Sequence, residues 1–334
     1  MRRLGRVEEA LSAFRFAIAL KPDFAAASHN LSGTLNAKDF GPQWQDYQVD
    51  VESFRASRYL DYPRTVQIET LATCNAACTF CPYVTLERAG TRMPMTLIEK
   101  IITDLEEVPR DLAFTIEPVK VSEPFLDKRL FDTLALCNQR LPRAALKLTS
   151  NASPITERVL DRLAEVRNLR RLFISFNDHR PEPYQRTMKL PYARTLDRLD
   201  GIHRRKADGR LDCRVIVSRV GDGSAVDQDF AAWVRDHYPA FETMVYSRFD
   251  WTGQVDVTAV GAVPPVACQR WFDLSITATG VVALCCTDGH AAHAIGDVSR
   301  DHTLAVYNAP SYRALRERAR TSAGIDPCDR CTYS

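Results

Sequence analysis

Seven of the ten cysteines in this 334-residue chain fall into tight patterns: Cys74, Cys78 and Cys81; Cys268 and Cys285; Cys328 and Cys331. The first set lies in Cys-Asn-Ala-Ala-Cys-Thr-Phe-Cys-Pro-Tyr (74–83), a Cys-x3-Cys-x2-Cys loop that can turn three thiolates toward one site. A [4Fe–4S] cluster usually takes four cysteines. Three leave one iron open to another ligand. Zinc sites usually pair their ligands, with a fourth Cys or His close by, and none is evident here. Cys137 and Cys213 sit in apolar-periodic segments and read as small buried hydrophobes. The chain is too long for a disulfide-stapled mini-protein and shows no export signal. A reducing, cytoplasmic setting is expected, where patterned cysteines ligate metal or do chemistry. With 44 basic and 42 acidic residues, the balance of +2 points to neither nucleic acid nor an anionic membrane. No apolar run is long enough to span a bilayer.

The elements that must position these thiols alternate in type. Strands are expected over 65–70, 113–121, 146–150, 172–176, 213–218 and 243–247, most of them rich in β-branched residues. Helical patterns lie between them, near 95–107, 127–139, 155–166, 193–207 and 226–237, with Pro94 and Pro154 near helix starts. Six βα units in series imply an α/β fold with a parallel sheet and right-handed crossovers. Six is fewer than the eight of a closed barrel, so a partial (βα)6 barrel is expected, with its site at the C-terminal ends of the strands. The cysteine triplet follows the first strand, where that rule puts chemistry.

Four regions are expected: a helical segment over 1–35, a linker over 36–62, the partial barrel over 63–255 and a small domain over 256–334. Within the first, Ala10, Phe14, Ala17 and Pro22 resemble the second helix of a tetratricopeptide (TPR) repeat. Residues 23–35 look like the first helix of a following repeat. A single repeat cannot bury its own apolar face, so an upstream start beyond Met1 is one expectation. A helical hairpin docked on the main domain is the other. Residues 36–62 are polar and aromatic without clear periodicity.

The Cys-x3-Cys-x2-Cys spacing, with the aromatic Phe80 just before the third cysteine, resembles the radical S-adenosylmethionine (SAM) superfamily. The resemblance implies a cluster whose open iron binds the amino and carboxylate groups of SAM, and one-electron cleavage to a 5′-deoxyadenosyl radical. It implies that Phe80 packs near the adenine. Val121-Ser122-Glu123-Pro124 is similar to the family's Gly-Gly-Glu-Pro turn, which makes Ser122 and Glu123 the amino-group contacts; both glycines are absent. Thr149-Ser150-Asn151-Ala152 is similar to the family's Thr-Asn-Gly, assigning Asn151 to the cofactor, and Ser175 and Asn177 end the fourth strand, where relatives bind the ribose or carboxylate.

The C-terminal region resembles the truncated SPASM domain called twitch, through Gly280-x4-Cys285 and the terminal Cys328-x2-Cys331. By that resemblance Cys268, Cys285, Cys328 and Cys331 ligate one auxiliary [4Fe–4S] cluster. Cys286 would point the opposite way from Cys285 in a strand and is excluded. The same four thiols could instead build a zinc site. A fully ligated cluster implies either electron transfer from a substrate radical or a structural role.

Two substrate readings compete. One is dehydrogenation of a small polyol, aminocyclitol or sugar, as in 2-deoxy-scyllo-inosamine dehydrogenase, whose layout is similar. The other is modification of a peptide or protein, which a TPR-like segment would help to hold. A third reading, from another class, is a non-catalytic, metal-binding interaction protein. Arg248 and Asp250, in a segment resembling the family's Trp-x-Gly, are the candidate substrate clamp and base, or else a solvated strand-end pair; Asp178 and His179 stand likewise. An external electron donor such as flavodoxin or ferredoxin is implied.

Overall fold

The structure is a computed structural model that describes residues 42–257 and 265–333. The expected TPR-like segment lies outside the described residues. Six strands run parallel: β1 (Thr65–Ile68), β2 (Thr115–Glu117), β3 (Ala145–Ser150), β4 (Leu169–Ser175), β5 (Arg214–Gly221) and β6 (Glu242–Ser247). They neighbour one another in chain order, as six serial βα units require. Beyond β1 the same sheet continues into β7 (Asp273–Ile276), β8 (Val281–Ala283) and β9 (Ala294–Asp297). β7 pairs parallel with β1, and β8 and β9 follow antiparallel. The fold is the expected partial α/β barrel, and the C-terminal domain is an extension of its sheet.

The helices before and between the barrel strands are α1 (Pro42–Arg55), α2 (Met95–Leu105), α3 (Leu130–Arg140), α4 (Glu157–Ala164), α5 (Pro181–Met188), α6 (Tyr192–Ala207) and α7 (Ala225–His237). Their apolar spacing explains their docking. In α2, Ile98, Ile101, Ile102 and Leu105 are fully buried, a stripe at i, i+3, i+4 and i+7 that lies against the sheet. In β3, burial alternates along Ala145–Ser150, putting Leu146 and Leu148 in the core. Among the described residues no helix is long and apolar enough to cross a membrane.

One expectation is corrected. The described part of the 36–62 linker is structured: α1 is followed by a single 3-10 turn at Arg58–Leu60. Among the described side chains the apolar stripe of α1 is Tyr47, Val51 and Phe54, and no local pattern announces it because its partners Ala267, Trp271 and Phe272 lie far downstream. In the C-terminal domain two short helices follow one another, α8 (Thr303–Tyr307) and α9 (Pro310–Arg318), since Pro310 opens a helix but cannot continue one.

One buried carboxylate joins three strand ends. Glu69, directly after β1, is fully buried. Its Oε1 accepts from Arg88 Nη2 at 3.0 Å and from the Val121 N–H at 3.1 Å, and its Oε2 accepts from Arg88 Nε at 2.6 Å and from the Ala278 N–H at 3.0 Å. The loop after β1, the turn after β2 and the turn after β7 therefore meet on one side chain. Removing one partner of a buried pair leaves an uncompensated charge, typically at a cost of about 3–5 kcal/mol. Arg88→Ala is expected to lower unfolding free energy by roughly that amount in urea titrations; a loss within ~0.5 kcal/mol, as for an ordinary surface change, would contradict this account.

Candidate active site

The cysteine loop leaves the C-terminal end of β1 and is held from four directions. Asn75 Nδ2 donates to Ser153 Oγ at 2.7 Å, and Asn151 Nδ2 donates to Asn75 Oδ1 at 2.9 Å, tying the loop to the segment after β3. The N–H groups of Ala77 and Thr79 donate to the carbonyls of Met188 and Thr187 at the end of α5. From beyond β6, Arg248 Nη2 donates to the Thr79 carbonyl at 2.8 Å and Trp251 Nε1 to the Phe80 carbonyl at 2.8 Å. From the C-terminal domain, His290 Nε2 lies 3.2 Å from Thr85 Oγ1 and 3.3 Å from the Pro82 carbonyl. Trp251, Thr252 and Gly253 all have positive φ (52°, 56° and 83°). Such a backbone is strained for Trp and the β-branched Thr, and the Trp251–Phe80 hydrogen bond helps to hold it.

Burial pushes the Cys74 thiol up to about 12 and Cys81 up to about 11, and lifts Cys78 well above the ordinary thiol range. Neighbouring sulfur charges add to the effect at Cys78, where Cys81 and then Cys74 oppose ionisation. Three half-buried thiols that resist ionisation near one another suit a strongly positive group that takes them as thiolates. Cys78 also donates to Met188 Sδ at 3.6 Å, and Asn151 Nδ2 stands 4.0 Å from Cys74 Sγ. The two remaining buried cysteines of the barrel, Cys137 in α3 and Cys213 before β5, belong to the hydrophobic core.

The residues assigned to SAM ring this loop with different degrees of freedom. Phe80 is half-buried and packs on the edge of the core. Glu123 is buried; its carboxylate accepts from Asn151 N–H at 2.7 Å, Ser150 Oγ at 2.9 Å and Phe125 N–H at 3.2 Å. Desolvation outweighs these donors and raises its pKa to about 7. Ser122 beside it is half-buried. Asn151 is occupied by Asn75 and Ser153. Asn177, at φ 68°, donates to Ser175 Oγ at 2.8 Å and accepts from the Val220 N–H at 2.9 Å, clasping β4 to β5. Asp250 accepts from Thr332 Oγ1 at 2.8 Å, fastening the C-terminal tail. Asp178 pairs with Arg180 and Arg219. Arg248 keeps a buried Nε without a partner.

In the C-terminal domain Cys268, Cys285, Cys328 and Cys331 line one cavity, walled also by Tyr47, Trp271 and Tyr333. Cys286 is outside that lining and lies beside the Arg270 guanidinium. Burial lifts all four cavity thiols, Cys331 to about 12. Trp271, 1% exposed, directs its indole N–H at the Cys328 sulfur. A buried donor aimed at one of four thiols fits a group whose ligand sulfurs carry charge and accept hydrogen bonds. Among the described residues no three Cys, His, Asp or Glu side chains close around a single-ion position.

Sequence reasoning missed Lys120, after β2. Its buried Nζ donates to Ser275 Oγ at 2.9 Å and to the Cys285 carbonyl at 3.1 Å, linking the barrel to the four-thiol cavity. Burial lowers its pKa. The signal available was a lone lysine within an otherwise apolar strand end, but nothing local names its partners. Tyr47 was missed for the same reason.

Comparison with known proteins agrees with this geometry. The family described as the radical SAM superfamily matches residues 68–224, and the iron–sulfur cluster-binding domain named SPASM matches residues 268–332. No curated protein matches the chain. Among solved structures, BtrN in complex with AdoMet and 2-DOIA is 17% identical over 80% of this chain and 92% of that one, with a TM-score of 0.52. Streptococcus suis SuiB bound to precursor peptide SuiA is 13% identical over 86% and 77%, with a TM-score of 0.62. The anSMEcpe protein with bound AdoMet is 12% identical over 75% and 78%, with a TM-score of 0.56. At such identities these likenesses show a shared fold. The matched domains imply a [4Fe–4S] cluster, auxiliary iron–sulfur binding and SAM. By its two matched segments, following one another along a single sheet, this chain is a radical SAM protein with a C-terminal SPASM domain.

Proposed function

We propose that the protein cleaves SAM reductively and uses the resulting radical to oxidise a small polyol, aminocyclitol or sugar by two electrons. The observation that carries the reading is the division of the thiols: three beside the barrel mouth with no fourth cysteine, and four lining a cavity in the adjoining domain. Cys74, Cys78 and Cys81 hold the SAM cluster, and Cys268, Cys285, Cys328 and Cys331 hold one auxiliary cluster, the single-cluster twitch arrangement. When bound, these groups would supply one electron to SAM, giving methionine and a 5′-deoxyadenosyl radical that takes a hydrogen atom from the substrate, and an acceptor for the electron the substrate radical then loses, while the proton of the oxidised hydroxyl leaves to a base at the pocket.

The chain's own residues bind and orient. Ser122 and Glu123 receive the SAM amino group, Phe80 packs at the adenine, and Asn151, Ser175 and Asn177 shape the pocket from the ends of β3 and β4. Arg248 clamps the substrate through its unpartnered Nε–H, while Asp250 acts as a positioning residue through its hold on Thr332. A small external flavodoxin or ferredoxin supplies the electron.

A peptide substrate is the second reading. It is favoured by strand β6, which among the described residues is the last strand on that side of the sheet and exposes Met244 (43%) and Val245 (37%).

Anaerobic reconstitution followed by dithionite and SAM is expected to yield 5′-deoxyadenosine. Cys74→Ala abolishes it; Cys328→Ala spares SAM cleavage and lowers substrate turnover at least tenfold, or ~1.4 kcal/mol. No 5′-deoxyadenosine from iron-loaded protein would end the proposal. Glu123 carries a separate signature. Its folded pKa is raised from 4.5 to about 7, so its stabilising contribution is complete below about 4.5 and is lost as pH rises through about 7. Glu123→Gln is expected to remove roughly 3 kcal/mol of that decline from the unfolding free energy of the cluster-free protein between pH 5 and 8; parallel pH profiles for the two proteins would refute the burial account.

A further inference from the structure

Helix α1 lies outside both matched segments, yet it builds one wall of the four-thiol cavity. Tyr47, Val51, Phe54 and Arg55 fall at i, i+4, i+7 and i+8, one face of the helix. Val51 is fully buried against Ala267, Trp271 and Phe272, the Phe54 ring lies 5.8 Å from that of Phe272, and Arg55 Nη2 donates to the Ala319 carbonyl at 2.8 Å. Gln48 Nε2 donates to the Ala267 carbonyl at 3.2 Å, next to the first cavity cysteine. The helix is thus pinned along its length to residues that flank Cys268.

Within that face, the Tyr47 hydroxyl is oriented by its surroundings. It accepts from the Gln269 N–H at 2.9 Å, and Cys268 Sγ lies 3.6 Å away as the acceptor of its own proton. A phenol is a protonated donor at neutral pH. The other donor to the same sulfur is the Arg270 N–H at 3.4 Å. Cys268 therefore receives one hydrogen bond from its own turn and one from a helix 221 residues upstream. Hydrogen bonds to ligand sulfurs stabilise the more negative, reduced state of a cluster and raise its potential.

We propose that α1 completes the auxiliary site and that Tyr47 is a positioning residue that raises the reduction potential of the auxiliary cluster through its O–H···Sγ bond to Cys268. The proposal rests on the assignment of that cluster to Cys268, Cys285, Cys328 and Cys331. It extends the auxiliary site beyond the C-terminal domain, and makes the segment that precedes the barrel part of the redox machinery. It also gives a reason for a phenol at this position: phenylalanine would fill the same packing site against Trp271 but offer no donor.

The test uses the full chain with Cys74, Cys78 and Cys81 all replaced by alanine, so that only the auxiliary sulfurs remain to bind a cluster. After anaerobic reconstitution, iron and sulfide are measured and the protein is titrated with reductant while its electron paramagnetic resonance signal is followed. Adding Tyr47→Phe is expected to leave iron and sulfide content unchanged, move the midpoint potential to a more negative value and alter the g-values of the reduced signal. An unmoved potential and signal in Tyr47→Phe, with the cluster present, would overturn the Tyr47 assignment alone. Absence of iron and sulfide before Tyr47 is touched would overturn the auxiliary-cluster assignment and this inference with it.

Discussion

The Glu69 carboxylate is the constraint on which the rest of this molecule depends. A fully buried charge is costly unless every lone pair is used and a counter-charge is close. Here Arg88 binds both oxygens, and the backbone N–H groups of Val121 and Ala278 take the remaining directions. Each donor comes from a different piece: the segment after the cysteine loop, the turn bearing Glu123, and the turn after β7 in the C-terminal domain. Satisfying one acid thus sets the mutual placement of the three-thiol loop, the expected SAM-binding turn and the domain carrying the second set of thiols.

The sheet transmits the same arrangement. Because β7 pairs parallel with β1, from Thr65 opposite Asp273 to Ile68 opposite Ile276, the C-terminal domain has a fixed register on the strand that launches the cysteine loop. A slip of one residue would reverse the faces of β7, all four of whose residues are buried. Lys120 adds a polar bond across this seam, from the end of β2 to Ser275 and the Cys285 carbonyl. The two groups of thiols are accordingly carried on loops and turns that one continuous sheet holds in place.

Burial does more at these sites than hydrogen bonding does. Glu123 receives three donors and still titrates near 7, because desolvation is the larger effect. The patterned thiols resist ionisation for the same reason. Desolvation of this kind lowers the local dielectric, so the few hydrogen bonds to sulfur, such as those from Tyr47 and the Arg270 N–H, carry more weight than they would at a surface.

Much of this was legible in the chain. The Cys-x3-Cys-x2-Cys loop, the alternation of short β-branched strands with amphipathic helices, and the terminal Cys-x2-Cys are all encoded within windows of a few residues, where periodicity and spacing are sufficient. The remainder depends on partners far apart in sequence. The α1 stripe has no visible purpose until Trp271 and Phe272 lie beneath it. Pro310 divides a pattern that otherwise reads as one helix. Asn177 and Asp250 look free at strand ends, yet the fold commits them to Val220 and Thr332. Local pattern reports which face of an element is apolar; it carries no information about which distant element covers that face, because that is fixed by strand register and by the need to satisfy each buried polar group.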